Sequence, residues 1–172
     1  NNEKITQGLD GLGERLAAYR DSGARFAKWR AVYDITDVKP SAQAIDANAE
    51  VLARYAAICQ TQNIVPIVEP EVLINGNHTI ERCYAATDYV HKVVFEALQR
   101  HRVALEHIIL KPSMVIPGST CPTQASREQV AEMTLKLLQD NVPASVPAIC
   151  FLSGGQSDEQ ATEHLQLMNA MA

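Results

Sequence analysis

Apolar positions along the chain recur in two periods, and the two periods alternate. Leu9, Leu12, Leu16 and Tyr19 fall three or four apart, which predicts a first helix from Leu9 to about Arg20. Gly23 is placed to close it in a left-handed cap. The run Arg25-Phe26-Ala27-Lys28-Trp29-Arg30-Ala31-Val32-Tyr33 reads as extended. Lys39-Pro40 then breaks the chain, Ser41 suits an N-cap, and Ile45, Ala49, Leu52, Ala56 and Cys59 resume helical spacing. Ile64 to Glu69 has the short apolar pattern of a buried strand, and Asn75-Gly76-Asn77 is a turn. From about Thr79, Ile80, Cys83, Thr87, Val90, Val94 and Ala97 line one stripe of a long helix. His107 to Lys111 predicts a third strand, ended by Pro112 and then Pro117-Gly118. Ser126-x-x-Gln129 is a capping box ahead of a helix through Val130, Met133, Leu137 and Leu138. Ala148 to Ser153 predicts a fourth strand, Gly154-Gly155 a turn, and Ser157-x-x-Gln160 the cap of a last helix. One helix followed by four strand–helix pairs implies an α/β fold with parallel strands and crossover helices.

The predicted strands end in Lys28, Glu69, Lys111 and Ser153, separated by 41, 42 and 42 residues. A regular period of that size points to one repeated strand–loop–helix–loop unit. Residues two apart on a strand share a face, so Phe26, Lys28 and Arg30 lie together, as do Ile67, Glu69 and Glu71; Ile109, Lys111 and Ser113; and Phe151 and Ser153. Each functional group thus follows an apolar neighbour toward the C-terminal end of its strand, where parallel α/β structures place their active sites. An eight-fold barrel of this unit needs about 340 residues, of which this chain supplies about half. The rival is a small doubly wound sheet, complete in itself; no G-x-G-x-x-G follows the first strand and no phosphate-binding G-x-x-x-x-G-K-[ST] occurs.

Composition narrows the class. The chain has 172 residues, 47% apolar and 20% charged, with a formal net charge of −5, so it is a globular length and not a disordered one. An acidic balance without a Lys/Arg block argues against nucleic-acid or anionic-membrane binding, and no apolar run approaches the roughly 20 residues that span a bilayer. Cys59, Cys83, Cys121 and Cys150 are widely spaced and read as free thiols, with Cys150 as core filler. Asn77-His78-Thr79 matches a glycosylation sequon but reads as a turn. Both ends look cut, which predicts a segment of a longer protein.

Lys111 follows four residues of strand pattern. A lysine in an apolar pocket beside other cations, here Lys28 and Arg30, favours its amine form. An amine attacks a carbonyl carbon, and the resulting iminium draws electrons from an adjacent C–C bond. Glu69 suits the proton transfers of that chemistry. Ser153-Gly154-Gly155 offers a hydroxyl and backbone N–H groups to a phosphate, and Arg30 a forked contact to a second anion. Five scattered histidines form no metal-binding pair, so no metal is expected. Trp29 alternates away from Lys28 and is expected against a helix; Lys4, Glu81 and Arg82 read as solvated surface charges.

At these residues the sequence resembles the class I fructose-1,6-bisphosphate aldolases. The likeness runs through Phe26-Ala27-Lys28-Trp29-Arg30-Ala31, Val65-Pro66-Ile67-Val68-Glu69-Pro70-Glu71-Val72, Leu110-Lys111-Pro112-Ser113-Met114-Val115 and Phe151-Leu152-Ser153-Gly154-Gly155, over nearly all of the chain. It implies a (β/α)8 TIM barrel, with strands four to seven and their helices here as one partial domain spanning residues 1–172. It further implies Lys111 as the Schiff-base lysine, Glu69 as general acid/base, and Lys28 as the group that assists carbinolamine chemistry. Glu71 would support the charge network, Ser153 and Gly154 would hold the phosphate on the dihydroxyacetone side, and Arg30 the other phosphate. No cofactor or metal is implied. The family's usual state is a cytoplasmic homotetramer of glycolysis and gluconeogenesis acting on phosphosugars, with organellar forms. Ser113 stands where the family more often has Asn. The segment alone is expected to be inactive. Two other readings are an aldolase-like scaffold without catalysis and a sister enzyme acting on fructose 1-phosphate or sedoheptulose bisphosphate.

Overall fold

The structure, a computed structural model, describes residues 2–172. The predicted alternation is present: α1 (Leu12–Asp21), β1 (Phe26–Tyr33), α2 (Ala42–Thr61), β2 (Val65–Val72), α3 (Ile80–Arg100), β3 (Ile109–Leu110), α4 (Arg127–Asn141) and α5 (Asp158–Met171). Hydroxyl caps start the helices where the sequence placed them. Ser41 accepts from Ala44 N, Ser126 from Gln129 N and Ser157 from Gln160 N. Ser126, expected to form a capping box with Gln129, caps without the return contact, and it is Ser157 that completes a box with Gln160. Thr79 accepts from Arg82 N at the start of α3, which gives the sequon threonine a structural task. α1 begins later than its apolar spacing suggested, after Gly11 in the left-handed region, and Tyr19 is exposed while Leu12 and Leu16 are buried.

The sheet is parallel in the order β1-β2-β3. The fourth expected strand, 148–153, is reduced to one bridge, Leu110 to Ile149, with Leu110 N bonded to Ala148 O, Cys150 N to Leu110 O and Leu152 N to Pro112 O. The β2–β3 pairing is also short, and the sequence of β2 explains why. Successive residues of a strand direct their N–H groups to opposite neighbours. Odd-numbered donors of this stretch face β1: Val65 N bonds Arg25 O and Leu73 N bonds Tyr33 O. Pro66 and Pro70 therefore stand on the β3 side, and each lacks the N–H that would make a rung there. Val72 N, on the same side, is taken up by the Ser113 hydroxyl instead of a strand partner.

One face of the sheet carries the core. Trp29, Ala31, Tyr33, Val68 and Leu110 are buried there beneath helices, and Trp29 stacks on Tyr55 of α2 with ring centroids 5.3 Å apart. The other face is more open. Phe26, expected as an inward apolar neighbour, is 64% exposed, since none of the described residues covers that end of the sheet. Cys150 is exposed too, against its reading as core filler: among the described residues the edge segment 148–152 has a strand neighbour only on the β3 side. Beyond the strands, the loops after β2 and β3 lock together. Gly118 N bonds His78 O and Thr120 N bonds Gly76 O, and a Cβ on Gly118 would overlap the Gly76 carbonyl. Arg82, expected in solvent, donates to Thr36 O and Lys39 O and so ties the loop after β1 to α3.

Candidate active site

On the open face of the sheet, Lys28, Glu69 and Lys111 meet. Glu69 is 3% exposed, and its two carboxylate oxygens go to different cations: Lys28 Nζ lies 2.7 Å from Oε2 and Lys111 Nζ 2.9 Å from Oε1. Backbone register dictates this geometry. Lys28 sits opposite Ile67, and Arg30 opposite Glu69. Lys28 is thus two residues, about 6.6 Å, short of Glu69's row, and only a long, unbranched side chain spans that diagonal. Lys111 follows the last paired residue of β3, and its N–H bonds Val68 O at 2.8 Å. It is anchored by its backbone while its side chain turns onto Glu69.

One row further on, Arg30 Nε is bonded to Glu71 Oε2, and Glu71 sits opposite Val32. The expected set of bare cations around Lys111 is therefore corrected. Lys28 shares Glu69 with Lys111, and Arg30 is matched by Glu71. Buried carboxylates require partners, and these two take up the neighbouring cations. The effects on ionisation are directional. Burial pushes the Glu69 carboxyl up, but the ammonium groups of Lys28 and Lys111 outweigh it and hold the carboxyl below its ordinary range. The bond to Glu71, opposed in part by burial, keeps the Arg30 guanidinium more firmly protonated.

The expectation of four groups level at the strand ends also changes. Lys28 and Glu69 lie inside their strands, not at the ends. Leu110 is paired with Ile149, so Ser153 lies further along its own segment than Lys111 does along β3. Paired residues of β1 and β2 are 39 apart in sequence while Lys28 and Glu69 are 41 apart, so near-equal sequence spacing does not mean equal height. Ser153 and Gly154 make none of the ion-pair contacts. They form a separate loop in which Gly154 (φ 62°) and Gly155 (φ 88°) adopt the left-handed region in succession, and among the described residues neither N–H has a backbone acceptor. Two polar contacts escaped the sequence reading, which noted Ser113 on the Lys111 face but assigned it no partner. Ser113 Oγ, buried, holds Val72 N at the end of β2, and Gln156 bonds the glycine loop from behind. Each is legible only when register brings distant segments together. Among the described residues, no three His, Cys, Asp or Glu side chains gather in a metal-holding cluster, and no helix is long and apolar enough to cross a membrane.

Comparison with known proteins bears on what this cluster does. A family model described as "Glycolytic: Fructose-bisphosphate aldolase class-I" matches residues 1–172. A probable fructose-bisphosphate aldolase class 1 of Xylella fastidiosa (strain 9a5c) is 54% identical over 169 residues, 98% of this chain and 51% of that protein. The cytosolic fructose-bisphosphate aldolase 6 of Arabidopsis thaliana is 54% identical over 171 residues, 99% of this chain and 48% of its own length. A solved fructose-bisphosphate aldolase of Plasmodium falciparum, in a ternary complex with TRAP and a small-molecule inhibitor, superposes with a TM-score of 0.98 at 47% identity, covering all of this chain and 50% of that one. The chain spans about half the length of the relatives it matches.

Proposed function

Because the chain belongs to the class-I fructose-bisphosphate aldolase family, we propose that its protein cleaves fructose 1,6-bisphosphate reversibly to dihydroxyacetone phosphate and glyceraldehyde 3-phosphate. The observation that carries this reading is one buried carboxylate shared by two lysines on the open face of a parallel sheet. In the proposed step, Lys111 yields a proton and its nitrogen attacks the ketone carbon of the sugar, giving a carbinolamine. Protonation of the carbinolamine hydroxyl lets it leave as water, and an iminium forms on Lys111. Loss of the proton from the hydroxyl on the far side of the neighbouring C–C bond then breaks that bond. The aldehyde leaves, and the electron pair of the broken C–C bond is held on the lysine-bound fragment as an enamine. Protonation at carbon and hydrolysis free the second product and return the amine.

Glu69, 2.9 Å from Lys111, is the group within reach of these protons. Lys28, on the other carboxylate oxygen, keeps Glu69 charged between transfers and stands ready to polarise the substrate. Glu71 holds Arg30 in position for one phosphate, and Ser153 with Gly154 takes the other. We further propose that the chain is strands four to seven of a (β/α)8 barrel, one partial domain over residues 1–172. Its protein would be a cytoplasmic homotetramer acting in glycolysis and gluconeogenesis. The parallel sheet with helices following its strands supports a barrel.

Borohydride reduction of the full-length protein with dihydroxyacetone phosphate, followed by peptide mapping, tests the proposal. Label confined to Lys111, and lost in Lys111→Met, is the expected result. A folded full-length protein that takes no label would make it an aldolase-like scaffold and end this reading.

A further inference from the structure

Behind the glycine loop stands a chain of hydrogen bonds that the chemistry above does not use. Gln156 Nε2 donates to Ser153 O at 2.8 Å and also contacts the Met114 sulfur at 3.5 Å. Gln156 Oε1 lies 2.6 Å from His164 Nδ1 on α5. Because a carbonyl oxygen only accepts, Ser153 O fixes which end of the Gln156 amide is the NH2 group. The amide oxygen must then face His164, and Nδ1 must carry the proton. Met114 and His164 are both buried, so the chain ends on fixed points in the β3–α4 connection and in α5. Gln156 N also donates to Ser153 O, so that carbonyl is gripped by both backbone and side chain of one residue.

The loop so held has little conformational preference of its own, since two successive glycines carry the turn. Its surroundings limit it on the other side: a Cβ on Gly155 would stand 3.1 Å from Ile74, and one on Gly154 3.0 Å from Leu152. We propose that Gln156, locked by His164, is a positioning residue. It sets the orientation of the 153–155 backbone and so the affinity of the site for the phosphate end of its ligands. The inference rests on the reading of Ser153 and Gly154 as a phosphate site. Gln156 touches no reacting atom. Its effect passes through the Ser153 carbonyl to N–H groups that must already point at the anion if binding is not to cost the ordering of the loop. Gln156 and His164 also border an open cleft of about 400 Å³ between α4 and α5, which leaves room for altered side chains.

The test uses the full-length protein with Gln156→Met and His164→Leu. Met keeps length and loses the donor; Leu at 164 leaves Gln156 in place and removes its anchor. In Gln156→Met the KM for fructose 1,6-bisphosphate and the inhibition constant for inorganic phosphate should rise about tenfold, and in His164→Leu by about threefold, with kcat within about twofold in both. Borohydride trapping of unphosphorylated dihydroxyacetone on Lys111 should stay at the wild-type rate. A merely structural role would instead lower kcat and Tm together and leave phosphate inhibition unchanged, and that pattern overturns the inference. If Gln156→Met does not fold, His164→Leu alone decides by the same readouts. Ser153→Ala separates the two levels. Unchanged phosphate inhibition in that variant removes the phosphate reading and this inference with it. Weakened inhibition there, with none in Gln156→Met or His164→Leu, removes only the positioning role.

Discussion

At the scale of the residue, Glu69 decides the character of the site. One carboxylate, almost out of water, answers to two amines on adjacent strands. Replacing it with glutamine keeps the shape, removes the charge and leaves two facing cations without a counter-ion. Glu69→Gln is expected to lower kcat by about 10²- to 10⁴-fold, the usual span for losing a general acid/base, in a steady-state cleavage assay. Stability should follow pH in a defined sense. The folded carboxyl titrates below its ordinary value near 4.5, so the unfolded chain binds that proton more readily. The stabilisation is complete above about 4.5 and is lost as pH falls through the lower, folded value. Urea midpoints of wild type and Glu69→Gln should therefore differ at pH 7 and converge in acid. A gap that widens below pH 4.5 would mean that the carboxylate is not held by its lysines.

At the scale of the element, α3 carries an irregularity. His91 is wholly buried, and neither ring nitrogen has a hydrogen-bond partner among the described residues. Burial lowers its ionisation to about 4, despite a small opposing pull from Asp88. The folded protein thus keeps His91 neutral, while the unfolded chain takes up a proton below about pH 6.5. Stability from this site is full above 6.5 and declines by as much as about 3 kcal/mol toward pH 4. His91→Leu fills the same space without polar atoms. It is expected to raise the urea midpoint and to flatten its slope between pH 6.5 and 4; an unchanged slope would show that the ring is already solvated or bonded. The elements themselves were largely legible in the sequence, because helix stripes and hydroxyl caps are local signals: Ser41, Thr79, Ser126 and Ser157 all sit where a helix begins. The cluster was legible in its members, Lys28, Glu69, Lys111, Arg30 and Glu71, since two-residue alternation put them on one face. Their heights and partners were not. Register is set between strands, so neither the diagonal reach of Lys28 nor the hold of Ser113 and Gln156 has a signature within any one segment. The thinning of the fourth strand to a single bridge was equally out of reach, because pairing depends on what lies alongside.

At the scale of the whole molecule, the chain is about half the length of the relatives it matches, and one face of its sheet leaves Phe26 and Val65 exposed. The 172 residues expressed alone are expected to show no aldol cleavage above background in a coupled assay with fructose 1,6-bisphosphate. Turnover near that of an intact aldolase would refute the reading of an incomplete barrel. The sheet is also fastened unevenly. Many rungs join β1 to β2, but Pro66 and Pro70 remove them from the side toward β3. A force that pries the sheet apart would open that seam before the one between β1 and β2. The seam divides the stave bearing the shared carboxylate from the stave bearing Lys111, the amine proposed above to attack the sugar. In the proposed step, a Lys111 that leaves its ion pair for a ketone would undo one of the clasps across the gap. On that proposal, turnover and local mechanical softness would fall on the same line of this fold.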